Sequence, residues 1–210
     1  MMLSGIPVNL VTGRDGAAKS GVLFDMLERR PAGARWAALI NHAGTKPLPP
    51  CSDGIYFSEV TQGCVCCTAQ LPLRVGLTRL LRETEPERLF IQAPAHAHTA
   101  DIVRLLTDQW LAPVLSLRAT VHVIAGVAVR HDLLDDARAA QLAAAQVVAI
   151  DVEDLDEEAL GDVEWQLSEL PTSPKVIRWQ AGGLGLELLD LPGRFFPGLR
   201  FQLGEPKPKR

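Results

Sequence analysis

Five short runs, "PVNLV" (7–11), "WAALI" (36–40), "LFI" (89–91), "ATVHVI" (119–124) and "QVVAI" (146–150), are apolar along nearly their whole length instead of on alternate residues. A strand of that kind is buried on both faces, which requires a sheet covered by helices on both sides. The intervening stretches supply helices. "AAKSGVLFDMLERR" (17–30) follows the first strand, and Leu73, Leu77, Leu80 and Leu81 fall at i, i+4, i+7 and i+8, one helical face. Further helices are predicted near 100–110, in "LLDDARAAQLAAA" and in "DEEALGDVEWQLSEL". "IYFSEV" (55–60) alternates and reads as a shorter, more exposed strand, while "KVIRW" (175–179) and "LGLELLDL" (184–191) close the pattern. Strands alternating with helices predict an α/β fold, a mostly parallel sheet in a three-layer sandwich. The expected organisation is one domain over 1–200 and a solvated, disordered tail over 201–210, with no internal repeat and no strong linker.

Charge and hydropathy exclude several classes of function. Against 25 acidic residues stand 21 basic ones, a formal charge of −4, which argues against nucleic acid or an anionic membrane as partner. No apolar run reaches the ~18 residues that a spanning helix needs. The start "MMLSGIPVNLVTG" lacks the basic segment and cleavage site of a secretory signal, so the expected compartment is the cytoplasm, where thiols stay reduced. Trp36, Trp110, Trp165 and Trp179 are expected in the core or half-buried against it. The acidic run "DVEDLDEEALGDVE" suits the positive end of a helix dipole.

Between the first strand and the first helix lies Gly13-Arg14-Asp15-Gly16-Ala17-Ala18-Lys19-Ser20, close to G-x-x-x-x-G-K-[ST]. In such a loop, backbone N–H groups and the helix N-terminus bind phosphate oxygens, the lysine reaches the terminal phosphates, and the hydroxyl sits on Mg²⁺. Gly13, Gly16, Ala17, Ala18, Lys19 and Ser20 are therefore candidates for binding a nucleotide and Mg²⁺. Ala18 stands where the last glycine belongs, so a methyl crowds the backbone, and Asp15 adds negative charge to a loop built for anions. An ordinary βα turn is the alternative.

Only four cysteines occur in the chain, and three of them lie in "TQGCVCCTAQ". In a reducing compartment Cys64, Cys66 and Cys67 read as metal ligands or nucleophiles rather than a disulfide framework. Cys64 and Cys66, one residue apart, can point the same way from an extended segment, whereas Cys67 needs a turn to join them. Thiolate sulfur suits Zn²⁺ or another soft transition metal such as Cu⁺. A four-coordinate site still lacks a donor. Cys51, in a proline-rich loop, is either that donor or an isolated thiol, and a buried small-residue turn is the other reading of the trio.

With "IPVNLVTG", "GCVCCTAQLPLRVGLTRLLRETEPERLFI" and "LRATVHVI" in this order, the chain resembles the CobW-type P-loop GTPases, metal chaperones of the CobW/HypB/UreG group. The resemblance implies a P-loop NTPase-like fold, GTP with Mg²⁺, zinc or another transition metal at the C-x-C-C cluster, and a metalloprotein client. It leaves open a homo-oligomer. In such proteins the cysteines lie between the strand after the P-loop helix and the next helix, so nucleotide state can be felt at the metal. The family usually shows Asn-Glu-Phe-Gly where this chain has "NHAG", which makes His42 the candidate fourth ligand in place of a glutamate; a surface-loop histidine is the alternative. The separate C-terminal domain that many relatives carry is expected to be absent.

Three departures fall on nucleotide chemistry. Where the family continues I-E-P-T-G-L-G-H-P, this chain reads "IQAPAHAHTAD" (91–101): Gln92 takes the acidic position, Ala95 a glycine, and His98 keeps a histidine. His96 and His98 are either additional metal ligands or solvated loop residues. In place of the guanine-reading N-K-x-D stand Asp151-Val152-Glu153-Asp154, in which Asp154 alone preserves a base-reading carboxylate. Each unpaired base edge costs ~1–3 kcal/mol, so two losses weaken guanine selectivity by a factor on the order of a hundred. Ala18 is the third departure. Eroded nucleotide elements beside an intact cysteine trio predict a metal-binding or metal-chaperone protein with weak or absent GTP hydrolysis. The competing readings are an active GTP-dependent metallochaperone and a non-catalytic interaction protein on an inherited fold.

Overall fold

The computed structural model describes residues 4–14, 17–41, 51–60, 70–125, 136–153, 155–180 and 182–194. Among these the chain runs β1 (Ile6–Gly13), α1 (Ala17–Glu28), β2 (Trp36–Asn41), β3 (Ile55–Val60), α2 (Gln70–Thr84), β4 (Arg88–Gln92), α3 (Thr99–Leu106), β5 (Leu115–Ala125), α4 (Asp136–Ala144), β6 (Val147–Asp151), α5 (Glu157–Ser168) and β7 (Lys175–Trp179), then a 3₁₀ turn at Leu186–Asp190. The seven strands form one sheet in the order β3-β2-β4-β1-β5-β6-β7, and every pairing within it is parallel. This is the α/β sandwich that the apolar strands predict.

Alternate residues of each strand feed opposite layers, as period-2 geometry requires. On β2, Ala37 and Leu39 join the cluster under α2 and α3, where Leu73, Leu77, Leu80 and Leu81 all pack as their spacing anticipates. Trp36, Ala38 and Ile40 face the other way, onto Val22, Leu23, Met26 and Leu27 of α1. A third cluster joins Ile124, Val148 and Ile150 to Leu142 of α4 and Leu160, Val163 and Leu167 of α5. The acidic run does begin a helix: Asp156 caps α5 by accepting from Ala159 N–H at 2.8 Å, with Glu157 and Glu158 in the first turn.

One buried polar cluster fastens the middle of the sheet. Asn9 Nδ2 donates to Ala119 O (2.9 Å) and Leu189 O (2.8 Å), and Asn9 Oδ1 accepts from Arg88 Nη1 at 2.7 Å. The Arg88 guanidinium also pairs with Asp190 and lies over the Trp36 ring.

The tryptophan expectation fails in two places. Trp36 is buried, but Trp110 and Trp165 are 70% and 66% exposed. Trp110 follows α3 in a turn, and Trp165 sits on the face of α5 opposite Leu160, Val163 and Leu167, so neither lies on an apolar helical stripe.

Candidate nucleotide loop and the metal-segment strand ends

β1 ends at Gly13 with φ +120°, where a Cβ would stand 2.2 Å from Val123 O of β5. Glycine is obligatory there, because both the dihedral and the close approach to the neighbouring strand exclude a side chain. The helix that follows carries Lys19 in its first turn, only 1% exposed. Its ammonium donates to Gly13 O at 3.2 Å and Ala93 O at 2.7 Å. Ser20 follows it in α1. The Ala18 methyl packs against the cluster containing Val11, Val22 and Leu23. Of the loop candidates, Gly16 lies outside the described residues, and Ala17 is placed as the first residue of α1.

Three polar residues complete this end of the sheet, and reading the sequence by motif did not single them out. Gln141 of α4 is fully buried: its Oε1 accepts from Gly13 N–H at 3.2 Å, while its Nε2 donates to Ala95 O at 2.9 Å and Ala97 O at 2.8 Å. Thr12 Oγ1 and His122 Nδ1 share a 2.9 Å hydrogen bond across β1 and β5. Burial, then the charges of Lys19 and Arg138, push the His122 pKa down to about 3, so the ring is neutral at pH 7. The available signals were a lone amide in the alanine-rich "ARAAQLAAA" and a histidine inside the otherwise apolar "TVHVI".

The segments that depart from the family pattern have clear surroundings. Gln92 ends β4 buried, and its amide oxygen has no hydrogen-bond partner. Ala95 is half-buried, whereas His96 and His98 are exposed. Asp151 accepts through Oδ1 from Glu153 N–H at 3.3 Å, and Val152 packs on the third core cluster. Asp154 lies outside the described residues.

Cys64, Cys66, Cys67 and His42 also lie outside the described residues. What is described is where their segments start. β2 and β3 end side by side, with Asn41 in register with Val60, so the stretch carrying His42 and the stretch carrying the trio leave from neighbouring strand ends. Cys51 has an exposed thiol and precedes the opposite end of β3, roughly 17 Å of strand from Val60. Among the described residues no group of three or more His, Cys, Asp or Glu is placed to hold a metal. No helix among them is long and apolar enough to cross a membrane.

Apart from Cys51, these elements gather at the carboxyl ends of parallel strands, at Gly13, Asn41, Val60, Gln92 and Asp151, where α/β sheets bind ligands. Gly13 at the end of β1, the N-terminus of α1 and the buried Lys19 fit a phosphate group.

The family model for the CobW/HypB/UreG nucleotide-binding domain matches residues 7–178. Over 199 residues the chain is 32% identical to the protein named zinc chaperone YeiR of Escherichia coli (strain K12), covering 89% of this chain and 58% of that protein. It is 26% identical over 229 residues to the protein named zinc chaperone CobW of Pseudomonas aeruginosa, covering 89% and 60%. The chain thus spans about three fifths of the length of these curated relatives. The same fold occurs in the Zn(II)-bound YjiA GTPase from E. coli, with a TM-score of 0.68 at 18% identity, covering 89% of this chain and 61% of that one. HypB from Helicobacter pylori, solved in complex with nickel, gives 0.57 at 13% identity, covering 89% and 82%. On the strength of the matched span, the buried loop lysine and the parallel sheet, the chain belongs to the CobW/HypB/UreG family of nucleotide-binding domains.

Proposed function

We propose that this is a cytosolic zinc-binding member of the family, a metal chaperone or metal-handling protein, in which nucleotide hydrolysis is weak or absent. One observation carries the reading: three of the four cysteines are packed into 64–67 in a chain whose 32%-identical relative is named a zinc chaperone. Cys64, Cys66 and Cys67 are the proposed thiolate donors and His42 the fourth ligand. Three thiolates and an imidazole form a donor set proper to tetrahedral Zn²⁺. The pairing of Asn41 with Val60 supports this choice, since both donor segments start there. A metalloprotein client would receive the ion.

Gly13, Gly16, Ala17, Ala18, Lys19 and Ser20 would hold the phosphates of GTP, with Ser20 toward Mg²⁺ and Asp154 toward the base. Bound Mg²⁺ would supply charge neutralisation at the phosphates. Gln92, neutral at the acidic position, cannot act as a charged base or as an anionic holder of water or metal. Asp151 is already engaged by its own turn and offers the base no amide donor. Both features support weak hydrolysis and loosened guanine selectivity.

A second reading, an active GTP-dependent metallochaperone, is favoured by the buried placement of Lys19 at the end of β1. Metal content separates the zinc claim from chance. Protein purified without a histidine tag is expected to carry stoichiometric zinc, and Cys66→Ser to lose it. Retention of metal by that variant would rule out the trio as the site.

A further inference from the structure

Alternate carbonyls of the segment after β4 are held by side chains from two other elements. Ala93 O accepts from Lys19 Nζ, whereas Ala95 O and Ala97 O accept from Gln141 Nε2. The same two side chains grip Gly13 from both sides, Lys19 at its carbonyl and Gln141 at its amide. The lysine and glutamine therefore tie residues 93–97 to the phosphate-binding loop.

An arriving phosphate acts differently on the two ties. A phosphate oxygen is a stronger acceptor for an ammonium than a peptide carbonyl is, because both partners are charged. Lys19 would turn to the phosphate, and Ala93 O would lose its donor. Gln141 is neutral and fully buried, and its bonds to Gly13, Ala95 and Ala97 are all to backbone groups, so an anion has no hold on it. In loops of this kind the lysine reaches the β- and γ-phosphates. A γ-phosphate reached by Lys19 would therefore come next to Ala93 O, at the start of the 93–97 segment.

We propose that Gln141 is a positioning residue: it keeps the 93–97 segment against the phosphate-binding loop after Lys19 has let go, and so sets the preference of the site for a γ-phosphate. This rests on the reading of the loop as a nucleotide site. Removing Gln141 takes the amide donor from Ala95 O and Ala97 O in the empty and the occupied states alike, while the backbone bond from Ala93 N–H to Val11 O (2.9 Å) still holds the start of the segment, so binding of a γ-phosphate must then order residues 95–97 against the loop afresh.

Two variants of the full chain separate this role from mere stability. Gln141→Glu keeps an acceptor for Gly13 N–H and gives up the amide donor, and Gln141→Met removes both. Amide hydrogen exchange is read at Gly13, Ala93 and Ala97, with Ile91 and Val123 as core controls, and affinities for fluorescent GMPPNP and GDP are measured with Mg²⁺. The expected result is exchange at Ala97 at least tenfold faster in both variants, Gly13 faster in Gln141→Met alone, and the core controls within threefold of wild type. GMPPNP affinity should fall at least tenfold and GDP affinity less than threefold. Unchanged exchange at Ala97, or equal acceleration at the core controls, overturns the tether. Equal losses for both nucleotides overturn the γ-phosphate role. If the wild-type chain binds neither nucleotide, the nucleotide half of the proposed function fails and takes that role with it, while the exchange data in the ligand-free protein still decide the tether on its own.

Discussion

Acidification should destabilise this protein through one ring. His122 is fully buried on β5 with its pKa pushed from 6.5 to about 3, first by desolvation and then by the charges of Lys19 and Arg138. Because the folded-state value is the lower one, the unfolded chain binds the extra proton between pH 6.5 and 3. Stability is therefore fully present above pH 6.5 and is lost as pH falls through that window. For these two values the loss at pH 5 amounts to ~2 kcal/mol, since each unit below 6.5 costs about 1.4 kcal/mol. In a chain of this size that shifts Tm by roughly 4–8 °C. The test compares wild type with His122→Asn, which retains a polar partner for Thr12 but cannot titrate. Thermal melts at pH 7 and pH 5 should show wild type losing ~2 kcal/mol more than the variant, whatever the variant's stability at pH 7. All other titrating groups are common to both proteins. Equal losses for the two would refute the assignment of a buried, neutral His122.

Other substitutions test other parts of the fold. Gly13→Ala should destabilise by several kcal/mol, because it combines a strained φ with a Cβ driven into Val123 O; urea unfolding measures the loss. Asn9→Ala leaves the carbonyls of Ala119 and Leu189 and the Arg88 guanidinium short of a partner in the sheet core. It should cost about 3 kcal/mol or more by the same assay. Lys19→Ala should weaken nucleotide binding on the order of a hundredfold by calorimetry, the loss expected when a charged donor leaves a phosphate. Gln92→Glu should raise GTP turnover above the wild-type rate, and an unchanged rate would detach Gln92 from the weak hydrolysis.

The sheet was legible because its strands are apolar on both faces, and the helices because their leucines recur at helical spacing. "PVNLV" and "WAALI" mark β1 and β2 to within two residues at either end. β5 begins earlier than "ATVHVI" suggests, at Leu115, because half-buried Ser116 and Arg118 interrupt the apolar pattern there while the backbone still pairs with β1. The stretch 186–190 folds as a 3₁₀ turn packed on the sheet, with Leu189 O serving Asn9, a tertiary demand that local spacing does not encode. Gln141 and His122 escaped notice for a related reason. Each belongs to no motif, and its importance arises from partners more than a hundred residues away in the case of Thr12–His122 and Gly13–Gln141. The loop lysine was readable because its spacing from Gly13 is fixed by the geometry of a strand–turn–helix corner.

Zinc retention and phosphate release, measured together on the same proteins, test the metal and nucleotide readings most directly. After equilibrium dialysis against zinc, the wild-type chain should retain stoichiometric metal, Cys66→Ser should retain none, and both should release phosphate from GTP at the level of Lys19→Ala. Zinc held equally well by Cys66→Ser, or zinc-stimulated turnover that Lys19→Ala abolishes, would contradict it.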